Sequence, residues 1–148
     1  DLSALDKMKS LEIFCPDGLS ADAIRTVSRL TNMKRLILFE SGVESLLQFK
    51  DLKGLVMLNL RSNGLENLDG VEAFERLDLL ELSWNHLTSL EPLRGRGGIR
   101  SLWISGNPIT DLTPLGTMPD LREIIATEDQ RAMLEALPKN PDITIIYE

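Results

Sequence analysis

The chain has 148 residues, of which 43% are hydrophobic and 26% are charged, and its formal net charge is −7. This composition is typical of one soluble folded domain, and an aromatic content of 5% predicts a mainly aliphatic core. The acidic balance disfavours nucleic acid, which is bound by clustered lysine and arginine, and it favours a basic protein partner.

Cysteine content and hydropathy bear on the compartment. Cys15 is the one cysteine, so it can form no internal disulfide, and this favours a reducing, cytoplasmic environment. Because no apolar run approaches the ~18 residues of a membrane span, we expect no membrane segment. The first residue is Asp1 rather than methionine, which leaves a trimmed, secreted or effector context open.

The N-terminal part predicts a short strand followed by a helix. Leu11 and Ile13 alternate as a strand would, and Cys15 follows them as a structural thiol. Ser20 is a good helix N-cap, and a stripe of Ile24, Val27 and Leu30 predicts a helix over 20–30. We expect this first repeat to carry three residues more than the later ones and to form the N-terminal cap.

The centre of the chain repeats every 22 residues. Asn63, Asn85 and Asn107 each follow one apolar-x-apolar pair and precede another apolar residue by two positions. The pairs are Leu58 and Leu60, Leu80 and Leu82, and Leu102 and Ile104; the residues that follow are Leu65, Leu87 and Ile109. A fixed period of this length indicates stacked units, each with a short strand whose apolar side chains face one core.

These asparagines are expected to form a structural ladder. An asparagine amide can pair with backbone groups of adjacent turns that would otherwise be buried without partners. The second repeat has Ser41 at this position. Serine can satisfy fewer backbone groups, so we expect a looser ladder there.

Arg94–Gly98 interrupts the pattern. Arg96 occupies a slot where the other repeats have an apolar residue, and three of the five residues are glycine. The sequence favours a loose loop on the convex side, and a basic contact loop is the alternative. A phosphate-binding loop is disfavoured because no Gly-Lys-Ser/Thr follows.

The last 22 residues predict a C-terminal cap. Thr127 and Gln130 have capping-box spacing, and a helix over 128–137 would bury Met133, Leu134 and Leu137 before Pro138 ends it. A closing edge strand is expected over 143–147. We expect Ile143 and Ile146 to continue the core register there.

This pattern resembles the leucine-rich repeat family over nearly the whole chain. Asn107 to Leu115 is similar to the 22-residue repeats of bacterial internalins, although phosphatase-regulator repeats share that length. The resemblance implies an α/β fold, namely a right-handed solenoid with short parallel strands on its concave face. It also implies a convex side of 3₁₀ or extended turns. We expect a single domain, 1–148, with a cap and first repeat at 1–32, regular repeats at 33–126 and a C-terminal cap at 127–148.

Outward-facing strand positions are the predicted partner site. In one row we place Glu12 beside Ile37, and in the next row Phe14 beside Phe39. We expect a protein partner to contact Ile37, Phe39, Met57, Asn59, Arg61, Glu81, Trp84, Trp103 and Ile125. Trp103 and Phe39 would anchor it, and Arg61 and Glu81 would set its orientation.

Catalysis is not expected. The sequence has one histidine, His86, and no spacing typical of a metal site, so we expect neither a catalytic residue nor a metal or cofactor. The main hypothesis is therefore a non-catalytic, monomeric module for protein–protein interaction. The alternatives are the recognition part of a larger effector or enzyme, an inhibitor of a basic enzyme, and a structural spacer.

Overall fold

Seven short strands form one sheet in the part of the chain that the structure describes. A computed structural model describes residues 18–148, together with the backbone of 11–15 and the side chain of Glu12. The strands are β1 (Leu11–Cys15), β2 (Met33–Leu38), β3 (Met57–Asn59), β4 (Leu79–Glu81), β5 (Ser101–Trp103), β6 (Glu123–Ala126) and β7 (Thr144–Tyr147). They lie in chain order, and every adjacent pair is parallel.

The connections between strands are short and mostly 3₁₀-helical. α1 (Ala21–Val27) follows β1, and α2 (Arg131–Glu135) follows β6. The four connections between β2 and β6 carry 3₁₀ turns at Leu46–Phe49, Val71–Ala73, Glu91–Leu93 and Thr113–Thr117. The predicted solenoid, with 3₁₀ turns opposite the sheet and a helix at each end, is confirmed.

Because the repeat period is constant, equivalent core side chains of successive repeats stack on one another. Leu58 pairs with Leu80, and Leu80 with Leu102, so equivalent residues are direct neighbours across the strands. All three are completely buried. Because each repeat covers the apolar side chains of the next, stability is close to a sum of neighbour terms.

The asparagine ladder connects each repeat to the one before it. The carboxamide oxygen of Asn63 accepts hydrogen bonds from the backbone N–H groups of Ser41 and Val43, both at 3.0 Å. Its nitrogen donates to three backbone carbonyls, one in the preceding repeat and two in its own, at 2.8 to 3.1 Å. Asn85 and Asn107 use the same pattern with one fewer acceptor contact.

Ser41 makes fewer ladder bonds, as predicted. Its hydroxyl accepts from the Leu19 N–H at 3.1 Å and donates to the Phe39 carbonyl at 2.9 Å. These two bonds replace the four or five that an asparagine makes. The N-terminal end of the ladder is therefore its weakest part.

The predicted register of the first strand is wrong. Ile13, not Leu11, pairs with Leu36, so this repeat is one residue longer than the regular period, not three. The pairing is irregular between Leu11 and Glu12, and this irregularity takes up the difference. Glu12 consequently lies opposite Arg35, at 3.6 Å from its guanidinium, and does not share a row with Ile37.

The register of the last strand also differs from the prediction. Ile145 pairs with Ile124 and Ile146 pairs with Ile125, so this repeat is one residue shorter than the regular period. A shift of one residue moves every side chain of a strand to the opposite face. Ile145 and Tyr147 therefore pack against the core, while Ile146 is 43% exposed on the outer face.

A helix forms at each end where the sequence predicts one, but both helices are shorter than predicted. The Ser20 hydroxyl accepts from the Ala23 N–H at 3.3 Å, and α1 ends three residues before the predicted 20–30 helix does. The Thr127 N–H donates to the Gln130 side-chain oxygen at 3.2 Å and completes the predicted capping box. A 3₁₀ turn then precedes α2, which ends at Glu135, two residues before the predicted end.

Hydrogen bonds to both neighbouring repeats hold the Arg94–Gly98 loop. The Arg96 guanidinium donates to the Phe74 carbonyl at 2.6 Å, and burial lowers its pKa. The Gly95 and Gly98 N–H groups donate to Thr117 and Asp120 side chains, both at 2.8 Å. The expectation of a loose loop is therefore wrong, and the hypothesis of a contact loop stays a prediction.

Replacing Asn63 with alanine should strongly destabilise the fold. The Asn63→Ala variant leaves several buried backbone groups without partners, and we expect it to lower the free energy of unfolding by about 3 kcal/mol or more. Asn67→Ala is the matched control, because Asn67 makes one exposed hydrogen bond, to the Asp69 N–H. We expect that control to cost less than about 1 kcal/mol. Urea denaturation measures both, and equal losses would contradict a special role for the ladder.

Candidate functional site on the concave sheet face

The concave face is the side of the sheet that points away from the core. Its central row, paired strand by strand, consists of Ile37, Asn59, Glu81, Trp103, Ile125 and Ile146. The row before it consists of Arg35, Met57, Leu79, Ser101, Glu123 and Thr144. The row after it follows by continuation of the register and contains Phe39, Arg61, Ser83, Ser105, Thr127 and Glu148.

The predicted contact residues differ in accessibility. Those that are partly exposed are Ile37, Phe39, Met57, Arg61 and Trp103, and Trp84 is 49% exposed at the strand exit. Asn59, Glu81 and Ile125 are buried, and Glu81 is completely inaccessible. The expectation that these three lie open to a partner is therefore corrected. The side chains of Phe14 and Cys15 lie outside the described residues.

Asn59 and Glu81 are buried because they bond to their own chain. The Asn59 side-chain oxygen accepts from the Arg61 N–H at 3.0 Å, and a Glu81 carboxylate oxygen accepts from the Ser83 N–H at 2.6 Å. Each side chain thus caps an N–H two residues further on, where the strand is ending. Short-range pairing of this kind is common for asparagine and aspartate. A polar residue at the last position of each strand was the available signal.

Glu81 is an electrostatically strained group. Burial raises the pKa of its carboxyl, and the hydrogen bond from Ser83 and the charge of Arg61 offset this in part. The negative charge of Glu148 raises the pKa further. Its second carboxylate oxygen is buried and has no hydrogen-bond partner among the described residues. The centre of the face therefore contains a carboxylate that a partner cannot reach directly.

Trp103 is held in one orientation. Its indole N–H lies 2.8 Å from the Ser101 hydroxyl and 3.2 Å from a Glu123 carboxylate oxygen. The Ser101 hydroxyl also donates to that oxygen, at 2.5 Å. Because its polar atom is satisfied within the protein, the ring offers a fixed, partly exposed apolar surface. A fixed anchor loses little conformational entropy when a partner binds.

Trp84 lies at the edge of the face, not in its centre. It has a left-handed backbone conformation with φ of 60°, like Glu40, Ser62 and Gly106 at the same place in their repeats. Each of these residues directly precedes a ladder position. The Trp84 ring covers Gly106 so closely that a Cβ atom added there would lie 2.5 Å from ring atom Cε3.

The charges of the face are unevenly distributed. Arg35 and Arg61 lie on the β2–β3 side, whereas Glu123 and Glu148 lie on the β6–β7 side. The Arg35 guanidinium contacts Glu12, while Arg61 has no ion pair within the described residues. Arg61 is thus the cation closest to the centre that a partner can pair with.

Other candidate sites are weak. His86 is exposed, and residues 18–148 contain no group of three metal-binding side chains. No helix in the described part of the chain is long and apolar enough to cross a membrane. A cavity of about 690 Å³ lies at the C-terminal cap, away from Trp103.

Adding one methyl group at Gly106 should disturb Trp84. Gly106→Ala puts a side chain into a left-handed conformation and against the indole ring. Gly95 has a similar φ of 69° but nothing within 4 Å of an added Cβ, so Gly95→Ala reports the backbone strain alone. We expect Gly106→Ala to cost at least about 1 kcal/mol more than the control.

In a Trp103→Phe background, Gly106→Ala should also shift the Trp84 fluorescence to longer wavelength, because the displaced ring enters water. Equal losses of stability in the two alanine variants, with unchanged emission, would contradict this packing.

The Glu81→Gln variant should be more stable than the parent protein, by an amount that grows as pH rises. A raised folded-state pKa means that ionisation costs stability; the cost is absent below the unfolded-state pKa and appears as pH passes through the folded-state pKa. The stability of Glu81→Gln minus that of the parent should therefore increase from about pH 4 to about pH 8. Urea denaturation across this range measures the difference. Glu66→Gln is the control for loss of an exposed charge, and a constant or falling difference for Glu81→Gln would contradict the assignment.

Comparison with known proteins supports the fold. No family model and no curated protein matches the sequence. An internalin (inlF) from Listeria monocytogenes has a similar structure, with a TM-score of 0.60 and 18% identity over 97% of this chain and 55% of that one. Internalin C2 (inlC2) from the same species has a TM-score of 0.55 and 17% identity over 96% and 82%. The chain thus spans about half the length of inlF, and its fold is the leucine-rich repeat solenoid that the 22-residue period predicts.

Proposed function

We infer that the chain is a non-catalytic module that binds a partner protein through its concave face. The observation that carries this proposal is Trp103, whose ring is fixed by Ser101 and Glu123 while its apolar surface remains partly exposed. Solenoids use such extended concave surfaces for binding. Tryptophan is also among the residues that most often dominate interface energies.

Further apolar side chains lie on either side of this anchor. Ile37, Phe39, Met57 and Leu79 are partly exposed on the β2–β4 side, and Ile146 is exposed on the β7 side. The charged residues Arg35, Arg61, Glu123 and Glu148 are interspersed with them. An apolar centre with a polar surround is the usual anatomy of a protein interface.

We propose that Arg61 and the acidic residues near β6 and β7 set the orientation of the bound partner. Glu81 is buried and is not proposed as a direct contact. A partner that places a carboxylate on Arg61 and basic groups near Glu123 and Glu148 would match the face. The net charge of −7 supports a partner that is basic overall.

The wider context of the module is a proposal as well. Because the chain spans about half of inlF, the recognition part of a longer protein is the main alternative to an independent module. We also propose a monomeric state and a cytoplasmic location, and the similarity of Asn107 to Leu115 to internalin repeats favours a bacterial source. A role as an inhibitor of a basic enzyme would use the same face.

Loss of the two aromatic anchors should weaken partner binding. The partner is captured from the native source, identified by mass spectrometry and purified, and its dissociation constant is measured by calorimetry. For the Trp103→Ala, Phe39→Ala double variant we expect an affinity at least about thirtyfold lower, corresponding to about 2 kcal/mol for a hot-spot residue.

Leu47→Ala is the matched control, because Leu47 is 51% exposed but lies in the 3₁₀ turn at Leu46–Phe49, on the opposite side of the solenoid. Circular dichroism verifies that each variant is folded. Unchanged affinity in a folded double variant would refute the concave face as the binding site.

A further inference from the structure

The outer edge of β7 has no neighbouring strand in the described structure. The N–H groups of Thr144 and Glu148 donate to carbonyls on the β6 side, at 2.8 and 2.9 Å. Successive residues of a strand direct their backbone groups to opposite edges. Ile145 and Tyr147 therefore direct their N–H and C=O groups away from β6, where an added strand could pair with them.

The strand itself lacks two of the usual protections against pairing. The strand reads Thr144-Ile-Ile-Tyr147 and contains no charge and no proline. Both are common devices that prevent an edge strand from pairing with another chain. The exposed side chain of Ile146 also offers apolar surface on the concave side of the edge.

An apolar cavity opens on the core side of the same strand. Its volume is about 690 Å³, within the range of roughly 300–1,000 Å³ typical of ligand sites. The apolar side chains that line it include Met118, Leu134, Leu137, Ile143 and Ile145, and the polar residues Glu135, Lys139 and Asn140 line it as well. A strand added to β7 would alternate its side chains between this cavity and the surface beside Ile146.

The charges around the edge indicate the chemistry of the occupant. Residues 128–148 contain the acids Glu128, Asp129, Glu135, Asp142 and Glu148 against the bases Arg131 and Lys139. Arg131 is held at 2.8 Å from Glu128 and 3.6 Å from Glu135. Asp142 and Glu148 take part in no ion pair among the described residues, so negative charge remains at both ends of β7.

We propose that the free edge of β7 binds an extended peptide segment of a partner protein by strand addition. Apolar side chains of the segment enter the cavity and cover Ile146, and lysine or arginine at its ends pairs with Asp142 and Glu148. This surface shares Ile146 and Glu148 with the concave face but includes neither Trp103 nor Phe39. The inference does not depend on the function proposed for the concave face.

Two other occupants fit the edge less well. A second copy of the chain would bring two sets of Asp142 and Glu148 together, in molecules that each carry a net charge of −7. A small apolar molecule would fill the cavity but leave Ile146 and the outward backbone groups of Ile145 and Tyr147 uncovered. An extended peptide with basic ends fills the cavity, covers Ile146 and pairs with the outward backbone groups of Ile145 and Tyr147.

The probe is a blocked, fluorescent peptide in which lysine residues flank four alternating valine–threonine pairs. Fluorescence anisotropy measures its dissociation constant. Two isomers, N-methylated on all valines or on all threonines, remove the N–H donors from one edge of the peptide or from the other. We expect one isomer to bind at least about tenfold more weakly and the other to stay within about threefold of the parent, because hydrogen bonds form on one edge only.

Protein variants locate the binding surface. Ile146→Lys should weaken peptide binding at least about tenfold by removing apolar contact and adding a repelling charge. Val56→Lys, a similar change at another exposed β-branched residue, should leave the affinity unchanged. The Trp103→Ala, Phe39→Ala variant should also bind the peptide normally, so failure of one proposal can be told from failure of the other.

Three results would overturn the proposal. The first is absence of peptide binding, and the second is an equal effect of both N-methylated isomers. The third is dimerisation of the free chain in sedimentation velocity that Ile146→Lys abolishes, which would assign the edge to a second copy. Displacement of an apolar dye from the cavity by the peptide, but not by its weakened isomer, would support it.

Discussion

The structure depends on one constraint, namely that backbone groups buried at each strand exit must find hydrogen-bond partners. Asparagine side chains meet it by reaching from one repeat to the preceding one. Asn63 alone pairs with five backbone groups. Since the same side chain also fixes the distance between repeats, it aligns Leu58, Leu80 and Leu102 in the core. The same alignment of repeats places the outward-facing side chains of the concave face in rows.

The sequence predicts the regular repeats well because two independent periods agree there. Alternation along each strand places Leu58 and Leu60 inside, and the 22-residue period repeats this placement at Leu80 and Leu82. At the ends the second period no longer applies, because a cap has only one neighbour to match. The register of Ile13 depends on an irregular pairing, and that of Ile146 depends on the length of the chain around α2. Neither quantity can be obtained from the repeat itself.

The candidate site shows a different limit of sequence reasoning. Strand alternation fixes the direction of the Cβ atom, and on this basis Asn59 and Glu81 do belong to the outer row. It does not fix where the functional group at the end of the side chain lies. Both side chains turn back to an N–H two residues on, so they are buried on an exposed face. Trp103 is fixed in turn by Glu123 from the next repeat, a contact visible only once the rows are aligned.

The shortened spacing before β7 bears on how such an array changes its length. A unit duplicated between β3 and β6 would keep every side chain on its original side, because the spacing there is uniform. Gain or loss of copies is therefore tolerated in the interior, whereas the one-residue-shorter spacing has to stay directly before β7 to keep Ile145 on the core side.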